Sequence, residues 1–233
     1  MTAALIDTTP SGAQTSERLL DAAERLFAER GIDAVSVRAV NAAAGANVAA
    51  VHYHFGSKEL LIAAVLRRRM EGLAQRRIAM LAALPTDRPP DVRAVVEALV
   101  VPLAELSADP AGSGRAYARV LATLRGGGPE SRAMLGAAFA PQFAPFDDAL
   151  SRALPELPEP VRHFRLNLVG ALVVQTLADR ETAAAGLGLA PMDAPPESPL
   201  GPGDHDRVVA ALVDTVTGAL TAPVGPIPKG SRA

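Results

Sequence analysis

Between Gly31 and Ser57 three glycines and three small polar residues cut the chain into pieces that suit only short, capped helices. The helix before them is expected to begin near Ser16, a good N-cap, with Glu17 in its first turn, where the helix dipole favours a carboxylate. Leu19, Leu20, Ala23, Leu26 and Phe27 recur at three- and four-residue spacing and make one apolar stripe. Gly31 closes this helix as a left-handed C-cap. Ser36 can cap a second helix through about residue 44, and Gly45 turns the chain. Asn47 can cap a third through about residue 55, and Gly56 turns it again. Ser57 then caps a fourth helix, with Glu59 in its first turn, running to about residue 83 with Pro85 beyond. Phe27, Val40, Val51 and Phe55 fall on apolar stripes and are the expected core of this head.

The remainder has the same character. Alanine and leucine dominate and aromatics make up only 3% of the 233 residues, a balance that favours helices over strands. The expected fold class is therefore all-α: a small helical head followed by a larger helical domain. Helices are expected over 91–107, with Pro102 kinking the middle, and over 113–125, stopped by Gly126, Gly127 and Gly128. Two more are expected at 130–140 and 145–154, a long one over 158–185, and a last one over 204–220. Residues 186–203 read as a loop and 1–14 as a mobile arm. The division that follows is a head at 13–73, a second domain at 74–222, and flexible tails at 1–12 and 223–233.

Several classes of function are excluded or disfavoured. There are no cysteines, so disulfides and cysteine-bound zinc are ruled out. No apolar run is long enough for a membrane span, and the N-terminus lacks a basic start followed by an apolar stretch. No membrane partner is expected, and the cytoplasm is the expected compartment. His52, His54, His163 and His205 form no metal-binding pattern. The triple glycine runs into Pro129 rather than a lysine and hydroxyl pair, so it is not a phosphate loop. Asp147 and Asp148 are an isolated acidic pair. No catalytic residue, metal or cofactor is expected, and the chain is not read as an enzyme.

Net charge is −2, but its distribution is uneven: residues 1–90 carry 11 basic and 9 acidic side chains, and residues 91–233 carry 12 and 16. The basic excess lies at the front, with the short helices. Helix, glycine turn, helix over 36–55 is the helix-turn-helix arrangement, whose second helix enters the major groove of DNA. Ala42, Ala43, Ala44 and Ala46 let the two helices approach, and Ala49 and Ala50 leave room beside base edges. Asn47 at one end of the third helix, and His52, Tyr53 and His54 at the other, can contact phosphates or bases. A solvated helix end is the alternative for the last three. Arg67, Arg68 and Arg69 read more simply as a solvated face.

The LFAERG end of the first helix, the Ser-x-Arg opening of the second, the Ala-Gly turn and the block from Tyr53 to Leu61 resemble the TetR family of bacterial transcriptional regulators. The likeness covers residues 13–73. It implies phosphate contacts from Ser36 and Lys58, a groove-edge or phosphate contact from Arg38, and base reading by the third helix. Two positions depart from the family pattern: His52 stands where tyrosine is usual, with tyrosine at 53 instead, and Val48 and Ala49 replace a longer side chain.

The resemblance also implies a homodimer formed by the helices at 158–185 and 204–220. The residues support this independently, because 164–178 is apolar nearly all round and must be covered on two sides. Gly170 and Ala171 would permit close helix approach. A central core helix in a monomer is the alternative. Phe139, Phe143, Phe146 and Phe164, with Tyr117, Leu121, Leu124 and Leu135, could line an apolar cavity or could be ordinary core. Tyr117, Arg119, Gln142, His163, Arg165 and Asn167 are the polar groups that could orient a ligand there. The spacing of RAYARVLATL and FDDALSRALPELP is similar to the sensor domains of the fatty-acid-responsive branch, which implies an apolar or acyl-like small-molecule effector. The expected function is a repressor released from a palindromic double-stranded DNA operator by that effector. A helical protein that binds another protein is the competing reading.

Overall fold

The computed structural model describes residues 10–32, 34–108, 113–126, 128–191, 200–201 and 203–225. Among the described residues there are ten helices and no strand: α1 (Pro10–Arg30), α2 (Val37–Ala43), α3 (Ala50–Phe55), α4 (Lys58–Ala82), α5 (Val92–Ser107), α6 (Ser113–Gly126), α7 (Pro129–Ala153), α8 (Glu159–Ala178), α9 (Arg180–Gly186) and α10 (Asp204–Thr221). The all-α class is as expected.

The head is built from α1 to α4. Leu19, Ala23, Leu26 and Phe27 of α1 pack with Val40, Val51, Leu61 and Val65, all buried. Gly31 and Gly45 sit at φ 77° and 59°, a region that side-chain-bearing residues avoid. Neither has a neighbour that a β-carbon would strike, so backbone conformation alone calls for glycine there. Ser36 and Ser57 cap as expected, each hydroxyl accepting a 3.2 Å hydrogen bond from the backbone N–H three residues on.

Ser16 does not start α1. The helix begins at Pro10, so residues 10–14, expected in a mobile arm, are helical; the rest of that arm lies outside the described residues. Packing supplies what local capping did not: α1 lies against α6, and Gly12 is buried.

One charged cluster ties α1 to α4. Arg68 donates to Asp21 at 2.7 Å, to Glu17 at 3.2 Å and to Glu24, whose side chain is almost wholly buried. Arg68 is therefore half-buried and committed to carboxylates, not a member of a solvated arginine face. Replacing Arg68 with alanine is expected to lower stability by about 1–3 kcal/mol, because buried charge loses its partner. Urea denaturation of the variant checks this.

The second set of helices packs α6 on α8, α5 on α10 and α4 across α5 and α7. Two expectations are corrected here. The segments at 130–140 and 145–154 are one helix, α7, which runs through Pro141 and Pro145. Proline removes a donor and crowds the preceding turn, but packing of α7 on α4, α5, α6 and α8 keeps the helix continuous. The helix expected over 158–185 is two, because Asp179 leaves helical geometry at φ −131° and ψ 57° and its carboxylate caps Thr182 of α9. α4 runs to Ala82, close to the expected end at about residue 83. α5 runs continuously through the buried Pro102.

Candidate nucleic-acid interface and internal cavity

Helix α3 has only six residues and its N-cap, Ala49, offers no side-chain bond. Two asparagines hold its start. Asn47 Oδ1 accepts from the Ala49 N–H at 3.1 Å, in the turn that leads into the helix. Asn41, on α2 and 1% exposed, does the rest. Its Oδ1 accepts from the Val51 N–H at 3.1 Å, and its Nδ2 donates to the Val48 carbonyl at 2.6 Å. A residue of one helix thus supplies the terminal cap of the next and fixes the angle between them. The sequence reading passed over Asn41. The available signal was a polar residue placed directly after Val40 in a short helix with a buried face.

The outer side of this pair carries most of the expected contact residues. Ser36, Arg38, Asn47, Ala49, His52 and Tyr53 are exposed, Tyr53 by 66%, and Val48 is exposed by 71%. The Ser36 hydroxyl accepts its capping bond and keeps its own proton to donate. Lys58 opens α4 two residues after Gly56 and is half-buried.

Two residues behave differently from expectation. Ala50 is 8% exposed and packs into the head, so it is turned away from the outer surface. The His52 ring is engaged through Nδ1 with the Gly56 carbonyl at 3.0 Å, closing the C-terminus of α3. In the neutral ring that nitrogen carries the proton, and Nε2 is left as an acceptor. His52 therefore donates to a phosphate only as imidazolium. His54 is half-buried, and Tyr53 meets its ring edge-on at 5.0 Å.

The second site lies inside the larger helical body. Arg77, Leu99, Leu121, Arg125, Phe143, Gly170, Val173 and Val174 line a cavity of about 30 Å³ where α4, α5, α6, α7 and α8 converge. Of the expected effector residues, Leu121 and Phe143 are on its wall. Tyr117 and Phe146 are buried close by, each 2% exposed, and Arg77 links them: its guanidinium carbon stands 6.0 Å from the Phe146 ring centroid, and its charge acts on the Tyr117 phenol. The side chain of Phe139 lies outside those described, as does that of Leu135.

His163 and Asn167 are corrected. Both are exposed on α8. His163 Nε2 meets Asp147 at 3.2 Å beside the Arg162–Asp147 pair, and Asn167 Nδ2 returns to the His163 carbonyl at 3.0 Å. Helical periodicity explains it: residues 163 and 167 are one turn apart and share a face away from Leu166, Val169 and Val173. Arg165 is committed to the Leu220 carbonyl at 2.7 Å, at the end of α10. Gly170 faces inward, where a β-carbon would stand 3.4 Å from the Phe143 ring.

Arg77 is the residue that sequence reasoning missed. It is 7% exposed and continues the buried α4 stripe of Leu66, Met70 and Leu73, which made it readable as a cation on an apolar face. Its Nη2 donates to the Leu99 carbonyl at 2.9 Å, and its Nε has no partner among the described residues. Burial pulls its pKa down to about 10, so the guanidinium is still charged at neutral pH. Burial pushes the Tyr117 phenol well up, partly offset by the Arg77 charge, and the hydroxyl is unpartnered. Arg125 is half-buried, donates to the Asn167 carbonyl at 2.9 Å and is pulled down by desolvation.

A short helix presented on an asparagine-braced turn, in front of a larger helical body, is the helix-turn-helix arrangement of a DNA-binding head followed by a C-terminal helical domain. Residues 19–65 match the family described as bacterial regulatory proteins, tetR family, and residues 97–198 match the tetracyclin repressor-like C-terminal domain. Together these spans take in more than half of the chain, and the protein belongs to the TetR family of transcriptional regulators. The family is one of regulators, not enzymes.

The HTH-type transcriptional repressor KstR2 of Rhodococcus jostii (strain RHA1) is 40% identical over 67 residues, 29% of this chain and 32% of that protein. The shared span is thus about a third of that relative's length. Among solved structures, the transcriptional regulator FadR of Bacillus subtilis in complex with stearoyl-CoA has a TM-score of 0.62 at 14% identity, covering 90% of this chain and 99% of that one. SmeT, the repressor of the Stenotrophomonas maltophilia multidrug efflux pump SmeDEF, has a TM-score of 0.59 at 24% identity, covering 88% and 91%. A regulator from Saccharomonospora viridis in complex with choline reaches 0.57 at 19% identity, covering 88% and 96%. At these identities what is shared is the fold. No helix among the described residues is long and apolar enough to cross a membrane.

Proposed function

We propose that this protein is a ligand-responsive DNA-binding repressor that acts as a homodimer on a palindromic operator. The observation that carries the reading is α3, braced by Asn41 so that Asn47, Ala49, His52 and Tyr53 stand outward between Ser36 and Lys58. Phosphate contact falls to Ser36, Arg38, Tyr53 and Lys58, and the groove floor is met by the small Val48 and Ala49. Such a surface places more of its binding on phosphates than on base edges, so affinity depends steeply on salt. The head is assigned to residues 13–73 and the sensing and dimerisation domain to 74–222. The deciding experiment is fluorescence anisotropy with DNA from immediately upstream of the gene against a random duplex, over a salt series. Equal affinity for both duplexes rejects the reading.

Support for the dimer comes from α8. Phe164, Leu168 and Leu172 repeat every four residues and are 66%, 55% and 37% exposed, an apolar stripe on the side of α8 away from its own core. Packing against the same stripe of a second copy, with α10 alongside, gives a two-fold axis and sets two heads for two half-sites. Leu168→Glu is expected to convert the dimer to a monomer and to weaken operator binding by on the order of a hundredfold while helicity is retained. Analytical ultracentrifugation and circular dichroism read both.

Coupling between the two sites has a physical path. α4 carries Lys58 at its first residue and Arg77 nineteen residues on, about 28 Å along one continuous helix. A small effector with an apolar body that holds Arg77 in a different position tilts the same rod that presents Lys58. A coupling of a few kcal/mol, roughly a hundredfold in affinity, suffices for release. Neighbours of this fold hold stearoyl-CoA and choline, so the effector follows from the side chains of the cavity and not from the fold.

A further inference from the structure

The cavity holds an unusual pair of charges. Arg77 and Arg125 both line it, from α4 and α6, and among the described residues neither has a carboxylate partner. Two half-buried arginines elsewhere have acids: Arg68 meets three of them and Arg162 meets Asp147. A guanidinium that is 7% exposed without an opposite charge is costly, because desolvation is not repaid by Coulomb attraction. Its backbone bond to Leu99 satisfies one nitrogen and leaves Nε open. Nearby, the buried Tyr117 hydroxyl is a second donor without a partner. The rest of the wall is apolar: Leu99, Leu121, Phe143, Val173 and Val174. Donors with an unmatched positive charge beside a hydrocarbon wall define what completes them.

We propose that this cavity binds a small organic acid, with its carboxylate received by Arg77 and Arg125 and its apolar body lying along Phe143 and Val173. The proposal rests on the reading of the chain as a ligand-responsive regulator and adds the charge of the ligand and the residues that select it. Arginine presents a planar fork of donors that matches a carboxylate. At about 30 Å³ the space holds no more than a water molecule in this conformation. Binding therefore includes an opening step. Phe143 is the half-buried side chain from α7 on the wall, resting against Gly170. Displacement of that ring is the first part of the opening.

The test uses the full-length protein with decanoate and decanol, which differ in charge and share the apolar chain. Calorimetry is expected to show decanoate binding tenfold or more tightly than decanol. Arg77→Met and Arg125→Met are each expected to weaken decanoate by tenfold or more and to leave decanol within about twofold. Arg125 is half-buried, so its variant tests the charge even if Arg77→Met folds poorly; a folded state is confirmed by circular dichroism. Equal affinity for the two probes, no binding of decanoate, or decanoate binding unchanged in Arg125→Met overturns the proposal. Operator binding is measured in parallel without ligand. If DNA binding is present and decanoate selectivity is absent, the ligand assignment fails alone; if decanoate binds and no operator preference exists, the regulatory reading fails instead.

Discussion

Replacing Asn41 with leucine is expected to cost about 3 kcal/mol of stability and to abolish specific DNA binding. Leucine fills much the same volume, so the loss does not come from a cavity. It comes from two backbone groups. The buried Val51 N–H loses its acceptor and the part-buried Val48 carbonyl loses its donor, beside a side chain that is 1% exposed. Leaving each buried polar group unmatched costs about 1–3 kcal/mol. The functional loss exceeds the stability loss because the same two bonds set α3 relative to α2. A six-residue helix without its cap frays, and a displaced Tyr53 no longer meets a phosphate. Chemical denaturation gives the first quantity and anisotropy with operator DNA the second. If Asn41→Leu unfolds at the wild-type denaturant midpoint, the two bonds do not brace the motif.

Replacing Tyr53 and Lys58 together with alanine is expected to lower DNA affinity by on the order of a hundredfold at physiological salt, with folding and dimer mass unchanged. Tyr53 is 66% exposed, so its truncation removes little burial. Lys58 stands at the N-terminus of α4, where its removal relieves an unfavourable charge at the positive end of the helix dipole. Neither change should weaken the head. Each lysine–phosphate contact releases about one counterion, so the slope of log affinity against log salt is expected to fall by about 1 per head for Lys58→Ala alone. Tyr53→Ala carries no charge and should leave that slope unchanged while lowering affinity at every salt concentration. DNA binding that survives both replacements would show that another surface makes the contacts, and would favour a protein partner for this face.

The apolar stripe at Phe164, Leu168 and Leu172 sharpens the dimer expectation in a way the sequence did not. Residues 164–178 are apolar nearly all round, which implied cover on two sides without saying which residues faced which. Leu166, Val169, Gly170 and Val173 turn inward, and the every-fourth-residue set turns out. Gly170, expected to permit close helix approach, faces inward beside the Phe143 ring.

What the sequence determined by itself is what rests on local chemistry. Ser36 and Ser57 cap because a hydroxyl reaches a backbone N–H three residues on. Gly31 and Gly45 turn because a positive φ excludes a β-carbon. The stripe of Leu19 to Phe27 buries because its spacing matches one helix face. These choices need no knowledge of the rest of the chain, and with them came the helix-turn-helix pattern. What only the tertiary structure decided rests on neighbours distant in sequence. α1 extends back to Pro10 because α6 lies beside it. α7 passes through two prolines because four helices pack on it. The cap of α3 comes from Asn41, ten residues before the N–H it satisfies. Arg77 and Arg125, 48 residues apart in the chain, share one cavity. A buried charge reveals what it requires only once the surrounding helices have excluded water from it.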